Sequence, residues 1–201
     1  MKTIGLIGGM SWESSLEYYR IINEVVRERL GGLHSAKSLM VSVDFAEIEV
    51  LQHRGEWEEA TQFMVEAAHQ LQRGRADCLL ICTNTMHKMA DRVQAEIDIP
   101  LIHIADATAA EVLRQGCHTV GLLGTRFTME EDFYRGRLVE KHGLKVLVPD
   151  AADRTVVHDV IYDELCLGVI EPDSKKRYLN IIGSMVAQGA EGIILGCTEI
   201  G

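Results

Sequence analysis

Two strand-like segments in the first half of this 201-residue chain recur in its second half, and this internal repeat constrains the fold more than any other feature. Residues 3–9 resemble residues 119–125 at an offset of 116, and residues 76–84 resemble residues 190–198 at an offset of 114. Because the two offsets differ by only two residues, the matches indicate two related halves. The counterpart of Pro100–Ile104 would follow the last residue, so the repeat predicts that the second half is incomplete at its C-terminus.

Strand-like apolar runs alternate with helix-like segments along the whole chain. This alternation is typical of parallel sheets with right-handed crossover connections. We predict an α/β protein with two similar Rossmann-like parallel-sheet domains, over residues 1–102 and 103–201, related by pseudo-two-fold symmetry, with the site in the cleft between them. The predicted strands are Thr3–Ile7, Ser38–Val43, Cys78–Cys82, Pro100–Ile104, Thr119–Leu123, Leu144–Val148 and Gly192–Leu195. The predicted helices are 12–30, 56–73, 86–97, 106–115, 128–141, 153–165 and 174–188.

The composition favours a globular protein without a polyanionic partner. The formal net charge of −10 argues against nucleic acid and anionic membranes as partners. No apolar run approaches the roughly 18 residues that a membrane helix needs, and the N-terminus leads directly into a strand. Five cysteines without a CxxC pair fit a reducing compartment, so we expect a cytoplasmic protein.

Polar residues follow the two strands of the second repeated segment. In open α/β sheets, ligands bind where strands end and helices begin. The repeat aligns Cys197 with Thr83 and Gly196 with Cys82. The polar residues at these two predicted turns are Thr83, Asn84 and Thr85 in the first half, and Cys197, Thr198 and Glu199 in the second.

Two residues that present acid–base groups to one cleft suit racemisation, in which a proton leaves one face of Cα and another enters the opposite face. A thiol suits this chemistry because its pKa lies near neutrality. Asn84, Thr85, Thr198 and nearby backbone N–H groups could hold a substrate carboxylate. Free cysteines are commonly small buried apolar groups, and we expect this of Cys82. For Cys197 we favour function, because a polar pair follows it.

Three motifs together resemble the aspartate/glutamate racemase family: residues 4–12, residues 83–87 and residues 196–199. The resemblance covers essentially the whole chain. It implies an amino-acid racemase that is independent of pyridoxal phosphate, with two α/β domains, no cofactor, no metal, an acidic amino acid as substrate and a homodimeric assembly.

The resemblance also implies a pair of catalytic residues, and here this sequence departs from the family pattern. In relatives a cysteine stands directly before the asparagine of the first motif, whereas Thr83 stands there in this chain. A threonine hydroxyl is too weak an acid to supply an alkoxide at neutral pH. We therefore hypothesise an asymmetric enzyme in which Cys197 deprotonates the L form and Thr83 assists at the opposite face.

Further residues could line the site. Met10 and Ser11 lie at the first strand-to-helix turn, and Thr125 and Thr128 lie at its repeat partner. Packing for Met10 and helix capping for Ser11 and Thr128 are equally good interpretations. A solvated loop residue is an alternative for Gln52, which the resemblance places near the substrate.

Glu199 and His87 are expected near the two turns. Glu199 could bind the substrate ammonium or a backbone N–H group, and His87 is expected to orient the turn at Thr83. Two other functions stay open: a single-cysteine decarboxylase or isomerase of the same superfamily, and a non-catalytic protein that binds an amino acid or a dicarboxylate.

Overall fold

The computed structural model describes residues 1–201, and the chain divides into two compact units, Met1–His103 and Ile104–Gly201. Unit 1 contains β1 (Thr3–Gly8), α1 (Trp12–Leu30), β2 (Lys37–Ser42), α2 (Phe45–Arg54), α3 (Trp57–Arg73), β3 (Cys78–Ile81), a 3₁₀ turn (Thr85–Met89) and α4 (Ala90–Ala95). Unit 2 contains α5 (Ile104–Arg114), β4 (Thr119–Leu123), α6 (Arg126–Glu130), α7 (Arg135–Glu140), β5 (Lys145–Leu147), α8 (Ala151–Asp163), a 3₁₀ turn (Leu165–Leu167), α9 (Pro172–Ala187), β6 (Gly192–Leu195) and a 3₁₀ turn (Thr198–Ile200).

Each unit is built on a three-stranded parallel sheet, which confirms the predicted α/β class. The strand order is β2-β1-β3 in unit 1 and β5-β4-β6 in unit 2, so the first strand of each sheet is central. The connections between neighbouring strands contain helices, as parallel pairing requires. The carboxyl ends of the strands therefore lie together at one edge of each sheet.

Hydrogen bonds repeat between the units at the offsets read from the sequence. Cys82 N donates to Ile7 O at the end of β3, and Gly196 N donates to Leu123 O at the end of β6. Gly196 therefore has the place of Cys82, in agreement with the predicted register. The residues that follow them are Thr83 and Cys197.

The apolar cores lie on the sheets. In unit 1, one buried cluster includes Ile7, Ile81 and residues of α2 and α3. In unit 2, one cluster joins α5 and α7 to the sheet, and a second joins α8 and α9 to it. None of the helices is long and apolar enough to cross a membrane.

The prediction was wrong in missing α2. Asp44 caps this helix by accepting a hydrogen bond from Ala46 N at 3.0 Å, and Gly55 ends it in a left-handed conformation. Its buried residues are Ile48, Leu51 and Gln52. Only three of its ten residues are buried, so the apolar periodicity that signals a helix is weak here.

Two further boundaries differ from the prediction. The segment predicted as a strand at Pro100–Ile104 forms only one parallel bridge, between Leu79 and Leu101, because α5 already begins at Ile104. The helix predicted at 128–141 is interrupted, since Glu131 is extended and separates α6 from α7. The adjacent carboxylates of Glu130 and Glu131 are unfavourable at a helix C-terminus, which carries a partial negative charge.

Candidate active site

The turn after β1 is fixed by serine side chains. Gly9 has a φ of +94°, and a Cβ there would lie 2.2 Å from Val43 O, so only glycine fits. Ser15 Oγ accepts a hydrogen bond from Gly9 N at 2.8 Å and donates to Ser11 O at 3.0 Å. Ser11 Oγ caps α1 by accepting from Ser14 N. Ser11 is therefore a helix cap, as one of its two interpretations predicted.

Met10 and Cys82 are packing residues in unit 1. Met10 is buried in the core cluster of that unit. Cys82 is fully buried, its carbonyl oxygen accepts a hydrogen bond from Ser14 Oγ at 2.9 Å, and burial raises the pKa of its thiol to about 12. A thiol with that pKa stays protonated at neutral pH, so Cys82 is a poor base. Its environment agrees with the packing role predicted for it.

Thr83 and Asn84 follow β3 and are partly buried. Asn84 Oδ1 is buried and has no hydrogen-bond partner, which is an uncommon state for a polar atom. Thr85 comes next and is buried. The turn therefore contains a partly buried threonine and, in the next residue, a buried amide oxygen without a hydrogen bond.

His87 is hydrogen-bonded to the backbone of this turn. Its Nδ1 lies 2.7 Å from Thr83 O, and because a carbonyl oxygen only accepts, Nδ1 carries the hydrogen in this contact. The imidazole packs against that of His103, with ring centroids 4.5 Å apart and ring planes tilted by 59°. This contact agrees with the orienting role predicted for His87. His103 escaped the sequence reasoning, because a single histidine outside the motifs gives no signal of its partner.

Gln52 also reaches this turn. It is buried in α2, and its Nε2 donates to Met86 Sδ at 3.1 Å. The alternative of a solvated loop residue is therefore wrong. The helix that carries Gln52 was the one missing from the prediction.

The turn after β6 carries a thiol paired with a carboxylate. Cys197 is partly buried, and its Sγ donates to Glu199 Oε2 at 2.9 Å. Burial, together with the negative charge of Glu199, holds the pKa of the Cys197 thiol well above its usual range. The thiol is thus protonated at rest, with an acceptor for its proton in direct contact. Thr198, between them, is exposed.

Thr125 and Thr128 lie beside this thiol turn and are buried. Thr125 Oγ1 accepts from Thr128 N at 3.4 Å and lies 3.2 Å from Thr128 Oγ1. Thr125 is thus the N-cap of α6, and the prediction of a cap at Thr128 was wrong, because the helix begins two residues earlier than expected. A Cβ at Gly196 would lie 3.2 Å from Thr128 Cγ2 and 2.9 Å from Leu123 O, so glycine allows this close packing.

Comparison with known proteins agrees with this geometry. The sequence profile of the Asp/Glu/Hydantoin racemase family matches residues 7–201. This chain belongs to that family. A crystal structure from Yersinia pestis, described as an Asp/Glu racemase, is 56% identical with a TM-score of 0.93, and the match covers 100% of this chain and 87% of that one. An aspartate racemase homologue from Pyrococcus horikoshii is 36% identical with a TM-score of 0.83 and the same coverage.

A curated relative is more distant. The broad-specificity amino-acid racemase RacX of Bacillus subtilis is 21% identical over 146 residues, which is 71% of this chain and 61% of RacX. The chain therefore spans less than two thirds of the length of this relative. The named relatives are racemases, so the family is one of isomerases that act on amino acids.

In the structure, the predicted site residues form two groups, one in each unit. Contacts in unit 1 connect the turns after β1 and β3 and the helix α2 to one another, and contacts in unit 2 connect the turns after β4 and β6. The unit 1 group is Met10, Ser11, Gln52, Thr83, Asn84 and Thr85. The unit 2 group is Thr125, Thr128, Cys197, Thr198 and Glu199. Sequence reasoning missed Ser14 and Ser15, whose spacing of three and four from Ser11 was the available signal.

Proposed function

We propose that this chain racemises an acidic amino acid, aspartate or glutamate, without a cofactor, by moving a proton at Cα. The observation that carries the proposal is the hydrogen bond of 2.9 Å from Cys197 Sγ to Glu199 Oε2 at the end of β6. A thiol with an adjacent proton acceptor is the arrangement that proton abstraction from carbon requires. Family membership and the turn chemistry support the same assignment.

Glu199 is proposed to control the charge of the thiol. Transfer of the Cys197 proton to Glu199 leaves a thiolate, which takes the Cα proton of the substrate and becomes a thiol again. Since burial and the Glu199 charge disfavour the thiolate, the step needs a compensating positive charge. The α-ammonium group of the substrate supplies that charge when it binds close by.

Asn84 and Thr83 are proposed to act on the substrate from the other turn. Asn84 Oδ1 lacks a partner, so it can accept a hydrogen bond from the substrate ammonium. Thr83 relays a proton to the carbanion: its hydroxyl gives a proton to Cα while it takes one from a water molecule, and the hydroxide that remains takes the proton held by Glu199. Because an alkoxide is inaccessible at neutral pH, Thr83 serves poorly as a base in the reverse direction. The L enantiomer is therefore proposed as the preferred substrate.

The remaining site residues are proposed to contact the substrate or to shape its pocket. Thr85 and Thr198 lie at the starts of their 3₁₀ turns, where backbone N–H groups point outward, and are assigned to the substrate carboxylates. The buried residues Met10, Ser11, Gln52, Thr125 and Thr128 shape the pocket. The domain boundary near residue 103, a substrate cleft between the domains, a homodimeric assembly and a cytoplasmic location are also proposed, on the strength of the family resemblance.

A second candidate function follows from the two aligned turn positions, Thr83 and Cys197, because only one of them carries a thiol. A decarboxylase or isomerase that uses one cysteine needs a proton donor on one face only, and Thr83 in place of a thiol fits that requirement. Such an enzyme would release carbon dioxide from a malonate and leave the Cα hydrogen of amino acids in place.

Proton NMR in deuterated buffer tests these assignments. The enzyme is incubated separately with L-aspartate, D-aspartate, L-glutamate and D-glutamate, and loss of each Cα signal is followed. We expect exchange of an L substrate with slower exchange of its D form. Absence of exchange in all four would contradict the proposal. Thiol-dependent decarboxylation of a malonate would then favour the second candidate, and saturable binding without exchange would favour a binding protein.

A further inference from the structure

The hydroxyl of Thr83 is not held by any hydrogen bond of its own. Thr83 is partly buried, and its carbonyl oxygen contacts His87, but its Oγ1 forms no hydrogen bond within the chain. Cys197 differs in this respect, because its Sγ is bound to Glu199 Oε2. Since a β-branched side chain has few χ1 rotamers, the direction of the Thr83 hydroxyl depends on the backbone that carries it.

The peptide groups on both sides of Thr83 are held by side-chain donors. The carbonyl oxygen before it, Cys82 O, accepts a hydrogen bond of 2.9 Å from Ser14 Oγ. The carbonyl oxygen after it, Thr83 O, lies 2.7 Å from His87 Nδ1. A peptide group is planar, so a contact that holds its oxygen also holds its nitrogen. Together the two contacts therefore restrict both backbone dihedral angles of Thr83.

The hydroxyl of Ser14 is not needed for the helix that carries it. The capping of α1 uses the backbone N–H of Ser14, which donates to Ser11 Oγ. The Ser14 hydroxyl reaches instead across 68 residues of sequence to Cys82 O. Ser14 is only 2% exposed, and a hydrogen bond shielded from water is stronger than one in solvent. This contact thus joins the start of α1 to the turn at Thr83.

The corresponding helix in unit 2 makes no such contact. Thr128 has the place of Ser14, because the backbone N–H of each donates to the side chain that caps its helix. Thr128 Oγ1 lies 3.2 Å from Thr125 Oγ1 and forms no hydrogen bond to Gly196, the counterpart of Cys82. The long-range hydrogen bond of Ser14 is therefore a feature of unit 1 alone.

The donor that follows the turn is also confined to unit 1. The offset of 114 places Gly201, which has no side chain, at the position of His87. The carbonyl oxygen of Cys197 instead accepts a hydrogen bond from the backbone N–H of Ile200. Side-chain donors thus flank the residue with the free hydroxyl, whereas the thiol is held directly by Glu199.

We propose that Ser14 is a positioning residue of the racemisation, which acts with His87 to hold the peptide groups around Thr83 and so directs the Thr83 hydroxyl to the substrate. This inference rests on the proposed function and extends it to a residue that acts through the backbone. A weak acid without a proton acceptor in contact depends strongly on its placement, since a displacement of about 1 Å can slow a reaction about 10²-fold.

Ser14→Ala removes the donor and keeps the backbone N–H that caps α1. Exchange at Cα is followed by proton NMR in deuterated buffer for the L and D forms of the substrate. We expect exchange of the D form, which needs Thr83 as base, to fall about tenfold, because His87 still holds the second peptide group. Exchange of the L form, which Cys197 deprotonates, should change less than about threefold. The loss should appear in kcat with little change in KM, because Ser14 acts through Thr83.

A double variant separates positioning from a general loss of structure. In Thr83→Ala, which lacks the hydroxyl, Ser14→Ala should have no further effect, because residues that act through one group are not additive. Thr61→Val is the matched control, since Thr61 is a buried residue of unit 1 whose hydroxyl donates to Trp57 O at 2.7 Å within α3. It should leave the ratio of D to L exchange unchanged. Equal losses for both enantiomers in Ser14→Ala, or an additive loss in the double variant, would overturn the proposal.

Backbone dynamics test the contact without substrate. The N–H group of Thr83 shares a peptide group with Cys82 O, so its nitrogen-15 order parameter reports the hydrogen bond from Ser14. We expect this parameter to fall in Ser14→Ala from about 0.85, the value of rigid backbone, toward about 0.6, and to stay unchanged in Thr61→Val. An unchanged value in Ser14→Ala would overturn the inference. If the value falls but the wild type exchanges neither enantiomer, the proposed function is wrong, and the assignment of Ser14 to racemisation is wrong with it.

Discussion

The turns that follow β3 and β6 have the same place in their sheets but different side chains. Thr83 stands at the first turn and Cys197 at the second, each one residue beyond an equivalent backbone hydrogen bond to the central strand. Only Cys197 has a proton acceptor in contact, the carboxylate of Glu199. The fold thus places residues 83 and 197 at equivalent positions, and the side chain at each position determines how strong a base stands there.

The preceding residues differ as well. Cys82 is fully buried beneath the first turn, whereas Gly196 has this place in the second because a Cβ would lie 2.9 Å from Leu123 O. Cys82 is therefore a packing group. The pKa values of both thiols are raised, and the two cysteines differ because only Cys197 contacts a proton acceptor, the carboxylate of Glu199.

Cys197→Ser removes the stronger base and tests the comparison most severely. We expect exchange at Cα of the preferred enantiomer to fall by about 10²–10⁴-fold, the usual contribution of a positioned acid or base. Proton NMR in deuterated buffer measures the rate. Cys82→Ala is the control, with an expected change of less than about threefold, since a buried packing thiol takes no part in general acid–base chemistry. Equal losses in both variants would contradict the assignment of Cys197.

Glu199→Gln keeps the shape of the thiol turn and removes its charge. The carboxylate contributes to the raised pKa of Cys197, so this pKa is expected to fall in the variant. Alkylation of Cys197 by iodoacetamide at pH 8, followed by mass spectrometry, should become faster. Exchange at Cα should become slower by about 10–10²-fold, because the thiol has lost its proton acceptor. If both rates move in the same direction, Glu199 does not act through the thiol.

The two turns also show how far sequence reasoning reaches. The alternation of strands and helices predicted the parallel sheets, and the repeat predicted the alignment of Cys197 with Thr83, because equivalent positions follow directly from residue offsets. Neither pattern predicted the thiol–carboxylate contact or the contact between the rings of His87 and His103, because side-chain orientation and long-range neighbours leave no periodic signal. The helix that carries Gln52 was missed for a related reason, since its few buried residues give little apolar periodicity.

Thr83→Cys makes the first turn resemble the second. We expect exchange of the disfavoured enantiomer to rise on the order of tenfold, less than a full acid–base contribution because no carboxylate stands beside position 83. Exchange of the favoured enantiomer should change little. Thr83→Ser, which keeps a hydroxyl, is the control and should retain the original ratio of the two rates. An unchanged ratio in Thr83→Cys would mean that the asymmetry has another cause.

The helices that cover the unit 2 sheet are joined by a charged contact. Asp106 of α5 forms an ion pair with Arg137 of α7. Hydrogen bonds from Arg137 hold the pKa of Asp106 well below its usual range. The carboxylate therefore stabilises the fold above about pH 4, the ordinary pKa of an aspartate, and this contribution declines as the pH falls below that value. Asp106→Asn is expected to lower the free energy of unfolding by about 1 kcal/mol at pH 7, since the ion pairs are partly exposed.

Urea denaturation of the wild type and Asp106→Asn at pH 7 and pH 3 measures this effect. The difference between the two proteins should shrink at pH 3, because the wild type then loses part of its own contribution. Glu111→Gln is the matched control: Glu111 is also on α5, but it pairs with Arg114 of the same exposed helix surface. It should lower the free energy of unfolding much less than Asp106→Asn does, because solvent screens this exposed pair. A constant difference for Asp106→Asn at both pH values would show that the charge of Asp106 is not what joins the two helices.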